Sequence, residues 1–221
     1  EEEAVTSSVK GERLKLKGAS TPQRLQDIVA TEEMRIDMHN GELNRVLGGG
    51  LVPGSLVLLG GEPGIGKSTL ALQVLLQLGE RKTFYASGEE SVRQIKLRAE
   101  RLAGDASNLY ISSETSLERI LDQVKELDPE VVVIDSIQTI GTEAIDATIG
   151  SLSQVRECAT RILEFAKTRN IPFFIIGHIN KEGSLAGPKV LEHIVDTVLQ
   201  FEGDQQYMYR ILRAQKNRLG S

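Results

Sequence analysis

Residues 61–69 read GEPGIGKST and follow directly on an apolar run, Ser55 to Gly60 (SLVLLG). A run of that length and composition reads as a buried strand. The residues after Lys67 place Leu70, Ala71, Val74, Leu75 and Leu78 at helical spacing, closed by Gly79. Strand, glycine loop and helix in that order satisfy the pattern G-x-x-x-x-G-K-[ST] at Gly61, Gly66, Lys67 and Ser68. The pattern has a physical reason. Several backbone N–H groups must point inward around a β-phosphate, and only glycines, here Gly61, Gly64 and Gly66, let the chain turn that tightly. Glu62, Pro63, Ile65 and Thr69 complete the loop. Lys67 would neutralise β- and γ-phosphate oxygens, Ser68 would ligate Mg²⁺, and the helix would offer its N-terminal dipole. A plain glycine-rich turn with an exposed lysine is the bland alternative, and the flanking strand and helix argue against it. The cofactors expected are ATP and Mg²⁺.

The rest of the chain repeats the alternation. Strands are expected at 83–87, 108–112, 131–135 and 171–177, with helices over 90–103, 116–127 and 151–169 between them. A short helix follows Pro188, and two β-like runs, 197–202 and 207–214, meet at Gly203 and Asp204 as an antiparallel hairpin. Strands rich in β-branched residues between helices of this length predict an α/β fold of P-loop NTPase type. Its mostly parallel sheet should carry helices on both faces. Residues 25–54, broken by glycines, read as a lead-in. Capping boxes are expected at Thr115 to Glu118 and at Ser87 to Glu90.

Charge and composition exclude some partners. A net charge of −5 provides no global positive field for nucleic acid or an anionic membrane, so any such contact must come from local basic loops. The single cysteine, Cys158, excludes an internal disulfide and a multi-thiolate metal site. No apolar run approaches the ~18–20 residues of a membrane span, and a start at Glu1 to Glu3 is unlike a signal peptide. A cytoplasmic protein without membrane contact is expected. The polar stretch over 1–20 and the end at Ser221 read as the edges of a piece of a longer chain, leaving 21–221 as the ATPase domain.

A triphosphate site needs more than its loop. Asp135, where the run Val131 to Ile134 turns polar, is the expected holder of a magnesium-bound water, with a strand-end cap as the bland alternative. Ser136 and Gln138 are possible assistants. A carboxylate must position the attacking water, and Glu89 and Glu90 lie just past a strand expected to neighbour the P-loop strand. Glu89 is preferred, because Glu90 is explained by a capping box. His178 ends its strand, where a polar terminus is the commonest reading. His39 and His193 receive no role.

Beyond these, YASGEES, VVVIDSIQT, IIGHINKEGSLAGPKVLEHIVDTVLQFEGD and YRILRAQKNRLG resemble the central ATPase domain of bacterial RadA (Sms), a DNA repair family of RecA and DnaB type. The resemblance runs from about residue 20 to the end. It implies a homo-oligomeric, hexameric ring that hydrolyses ATP on single-stranded or branched DNA during recombinational repair, alongside a RecA-type recombinase. It also implies a γ-phosphate sensor at His178 and a trans-acting basic element at Lys216 and Arg218. These two residues are two apart on an extended strand and so are expected on the same side. The family's zinc finger and Lon-like domain have no counterpart in this sequence, and Leu219 replaces the family's aromatic ring. The loops at 139–150 and 180–188 would face a DNA channel. The first carries Glu143 and Asp146 and no base, the second Lys181, with Lys189 close by. Two other readings stay open: an ATP-gated, KaiC-like assembly module with little hydrolysis, and a DnaB-type helicase fragment.

Overall fold

The computed structural model describes residues 22–27, 34–178, 188–204 and 209–220. The expected lead-in over 1–20 and residues 180–187 of the second loop lie outside these. Two units are distinguished, Glu1–Glu32 and Glu33–Ser221. The first contributes one described turn of 3-10 helix, Leu25–Asp27.

The second unit is built on a seven-stranded sheet. Its elements run α1 (Gly41–Val46), β1 (Leu56–Gly61), α2 (Lys67–Gln77), β2 (Thr83–Ser87), α3 (Val92–Ala99), β3 (Leu109–Ser113) and α4 (Leu117–Leu127). They continue β4 (Val131–Asp135), α5 (Leu152–Arg169), β5 (Phe173–His178), α6 (Pro188–Leu191), β6 (Thr197–Asp204) and β7 (Tyr209–Asn217). Strand order is β3-β2-β4-β5-β1-β6-β7. All neighbours are parallel except β6 and β7, which form the expected hairpin.

Alternation along the strands makes both faces apolar, as a parallel sheet requires. Leu56, Leu58, Val132, Ile134, Phe173 and Ile175 bury against α4 and α5. Val57, Leu59, Val131, Val133, Phe174 and Ile176 bury against α1, α2 and α3. Cys158 lies in the first core, and burial pushes its thiol pKa up to about 12. No described helix is long and apolar enough to cross a membrane.

Four expectations are corrected. The strand bearing Glu89 does not neighbour the P-loop strand: β4 and β5 lie between β2 and β1. Helix α3 starts later and ends earlier than 90–103. Its capping box is Ser91 with Gln94, because Ser87 is still in β2 and its Oγ accepts from the N–H groups of Glu89 and Glu90 in the turn that follows. Helix α4 is capped by Ser116, not Thr115, since Ser116 Oγ accepts from Arg119 N–H while Glu118 turns to Thr142 and Glu143. Finally, β7 ends at Asn217, so Arg218 lies beyond the strand. The ladder also shifts register between Val198 and Leu199, which leaves Gln215 as the extra residue, ahead of Lys216. Part of the lead-in over 25–54 is structured as well: Asn40 caps the unexpected helix α1 by accepting from Leu43 N–H.

Candidate nucleotide site

The loop between β1 and α2 adopts the backbone its glycines permit, with Gly64 at φ +78° and Gly66 at φ +108°. A residue with a Cβ rarely adopts such angles. Gly66 is the N-cap of α2 and supplies no side-chain cap, so the first helical N–H groups have no partner within the helix. Lys67 folds back into the loop, its Nζ donating to Gly61 O at 2.7 Å and Glu62 O at 2.8 Å. Its side chain is buried, and that burial pulls its pKa below the usual lysine value against the opposing pull of Asp135, Glu89 and Glu62. A buried cation facing three carboxylates, beside a glycine loop that runs into a helix N-terminus, suits a polyanion that brings a divalent cation with it.

Four strand ends converge on this loop. Asp135, at the end of β4, is buried, and its Oδ2 accepts from the hydroxyl of Tyr85 at 2.5 Å. Tyr85 on β2 is itself fully buried. Desolvation first, then the neighbouring Asp135 carboxylate, raises the phenol's pKa far above its usual value, so the hydroxyl stays a donor. Glu89, just past β2, accepts from Ser136 Oγ at 3.1 Å and lies 3.2 Å from His178 Nε2 at the end of β5. Gln138 holds the backbone of His178 from both sides, donating to its carbonyl at 3.2 Å and accepting from its N–H at 3.4 Å. Glu90 points elsewhere and pairs with Arg98 of α3.

The site thus brings together Lys67, Glu89, Asp135 and His178, with Ser136 and Gln138 as their supports. It does not bring Lys216 and Arg218. Through the β6–β7 ladder, Lys216 sits level with Val198 and Arg218 bonds at Asp196, whereas the P-loop end of β1 is level with Phe201. At about 3.3 Å per residue, these side chains are rooted roughly 10 and 16 Å along the strands from the loop. Both are tied locally: Lys216 Nζ donates to the carbonyls of Glu192 and Val195, and Arg218 to that of His193 at 3.2 Å.

The loop over 139–150 is closely held. Gln154 Nε2 donates to Thr142 O at 3.0 Å and Ala147 O at 2.8 Å, its Oε1 accepts from Thr142 N–H, and Glu118 accepts from Glu143 N–H. The second loop, with Lys181, lies outside the described residues. Tyr85 carries no mark in the sequence beyond a strand tyrosine. Its role comes from sharing a face with Ser87 and the register that pairs Ser87 with Asp135.

A family model described as an AAA domain matches residues 19–184. The chain is 52% identical over 222 residues to the DNA repair protein RadA of Streptococcus pneumoniae, covering 100% of this chain and 53% of that protein. It is 54% identical over 202 residues to RadA of Bacillus subtilis, covering 90% of this chain and 44% of that protein. The chain therefore spans about half the length of the curated relatives it matches. Among solved structures, the KaiC-like protein PH0186 of Pyrococcus horikoshii superposes with a TM-score of 0.68 at 19% identity, over 84% of this chain and 89% of that one, a likeness of fold. Loop, sheet and sequence agree: the chain belongs to the AAA domain family, with bacterial RadA proteins among its relatives.

Proposed function

We propose that this domain hydrolyses ATP and uses the cycle to act on DNA, as one subunit of a ring. The observation that carries the reading is the meeting of Ser136 Oγ and His178 Nε2 on one carboxylate oxygen of Glu89, at the strand edge that ends in the P-loop. An exposed acid needs no such support. A carboxylate that must aim a water at a γ-phosphate does, because a misplaced base loses most of its effect.

In this reading the N–H groups of residues 61–69 cradle the phosphates and Lys67 leaves its loop carbonyls for phosphate oxygens. Ser68 and Asp135 would hold Mg²⁺, with Tyr85 fixing the carboxylate. When bound, the ion supplies charge neutralisation across the β- and γ-oxygens. One protein carboxylate plus substrate phosphates and water is how magnesium is commonly held. Glu89 takes the proton of the attacking water. His178, touching Glu89 and clamped by Gln138, reports the state of that carboxylate to the segment that follows β5.

Lys216 and Arg218 face away from their own P-loop, so they would serve the γ-phosphate of a neighbouring subunit. In this reading the chain works in a homo-oligomeric, hexameric ring, with single-stranded or branched DNA in the channel and a RecA-type recombinase as partner. The RadA relatives are DNA repair proteins, which supports the DNA half of the proposal. With a net charge of −5, contacts should be backbone-led and salt-sensitive. Steady-state ATPase rates with and without single-stranded DNA test it. The parent chain should be stimulated, and Lys67→Ala should be inactive under both conditions. Equal rates for parent and Lys67→Ala would refute it.

A further inference from the structure

The β6–β7 hairpin lies directly over the phosphate loop. A Cβ on Gly61 would come 2.7 Å from the carbonyl oxygen of Phe201. A Cβ on Gly203 would come 2.6 Å from the side chain of Ile65. A Cβ on Gly66 would come 3.0 Å from Nη1 of Arg210, the partner of Gly203 in the ladder. Three successive contacts thus join the loop to the hairpin, and the last sets a guanidinium against the N-cap of α2.

Arg210 is exposed and, among the described residues, its side chain makes no hydrogen bond or ion pair. Its hairpin neighbour Arg213 is paired with Glu202. A guanidinium carries five donors in a planar fork suited to phosphate oxygens, and an arginine spare of partners beside an anion-binding loop is well placed to use them.

The sheet order says which phosphates it can reach. On one side of β1 stand β5 and β4, bringing His178, Asp135 and, from β2, Glu89. These groups mark the metal and γ-phosphate end. On the other side stand β6 and β7, and Arg210 approaches from there. From this geometry we infer that Arg210 binds the α- and β-phosphates of the nucleotide in its own subunit, a part shared by ATP and ADP. It is thereby distinct from Lys216, at the far end of β7, and from Arg218 just beyond that strand.

The inference rests on the ATP-binding reading above, and calorimetric titration of ADP and of ATP with Mg²⁺ separates the two. The parent chain should bind both nucleotides and Lys67→Ala should lose both. Arg210→Ala should lose about 10-fold in affinity for each, the amount expected for one charge-assisted contact, with the ADP-to-ATP ratio unchanged. Arg210→Lys, which keeps the charge without the fork, should fall between. Its melting temperature should match the parent's, excluding a folding defect. ADP affinity unchanged in Arg210→Ala would overturn the inference while leaving ATP binding intact, as would a loss confined to ATP. A parent chain that binds neither nucleotide would overturn both.

Discussion

His178 and Glu89, 89 residues apart in sequence, meet side chain to side chain, with Nε2 3.2 Å from Oε1. The same Oε1 accepts from Ser136, just past β4, so its orientation is set from two sides at once. Glu90, adjacent in sequence, is held by Arg98 instead.

The two glutamates should therefore separate cleanly. Glu89→Gln keeps the shape and removes the base, and should lower the ATPase rate by about 10²- to 10⁴-fold. Glu90→Gln should lower it far less. Steady-state rates of the two variants, alongside ATP binding by each, check the assignment. Comparable losses in both would remove Glu89 from its role.

Tyr85 and Asp135 form a buried donor–acceptor pair. Tyr85→Phe removes the donor and leaves a buried carboxylate short of a partner, which should cost about 1–3 kcal/mol of stability. Urea unfolding gives that value. The variant should also need more Mg²⁺ for half-maximal ATPase activity, a shift that mere loosening of the core would not single out.

Lys216 and Arg218 are rooted at the sheet edge opposite their own P-loop. If they act on a neighbour, Arg218→Ala and Lys67→Ala chains should each be inactive alone and regain part of the ATPase rate when mixed. In the mixture some interfaces pair an intact loop with an intact arginine. A trans-acting arginine is worth about 10³- to 10⁵-fold in other NTPases, so a recovered fraction would stand well above background. No recovery in co-assembled chains would exclude action in trans.

Cys158 gives the clearest pH dependence. Its pKa is pushed from 9.0 to about 12 in the folded chain, chiefly by burial. A raised acid pKa means that the folded state keeps its proton longer than the unfolded one. The stability contributed by the neutral thiol is complete below pH 9 and lost progressively from pH 9 to about 12. Cys158→Ser should flatten the part of the stability curve that falls in this window, measured by denaturant midpoint against pH. Native chain at pH 8 should react with a thiol reagent far more slowly than unfolded chain.

Much of this protein is legible locally. The β1 strand, its glycine loop and the helix after it follow from residues 55–79, because each is set by interactions within a few residues: backbone freedom, helical spacing and burial of an apolar run. Strand ends and caps were less so, since Ser87, Ser91, Thr115 and Ser116 can all cap in principle and only the path of the chain selects among them. Asp135 could be read as an acid at the end of a buried run, but its partner Tyr85 could not, because the pairing depends on β2 lying beside β4.

The same division governs the site. Sequence alone determined that a triphosphate loop exists and which residue types attend it. Tertiary structure decided that β4 and β5 separate β2 from the loop strand, that Glu89 rather than Glu90 faces His178, and that Arg210 sits at the loop while Lys216 and Arg218 stand at the far edge. Strand order and register are long-range choices, made by how apolar faces pack across the whole sheet, and no short stretch of sequence carries them.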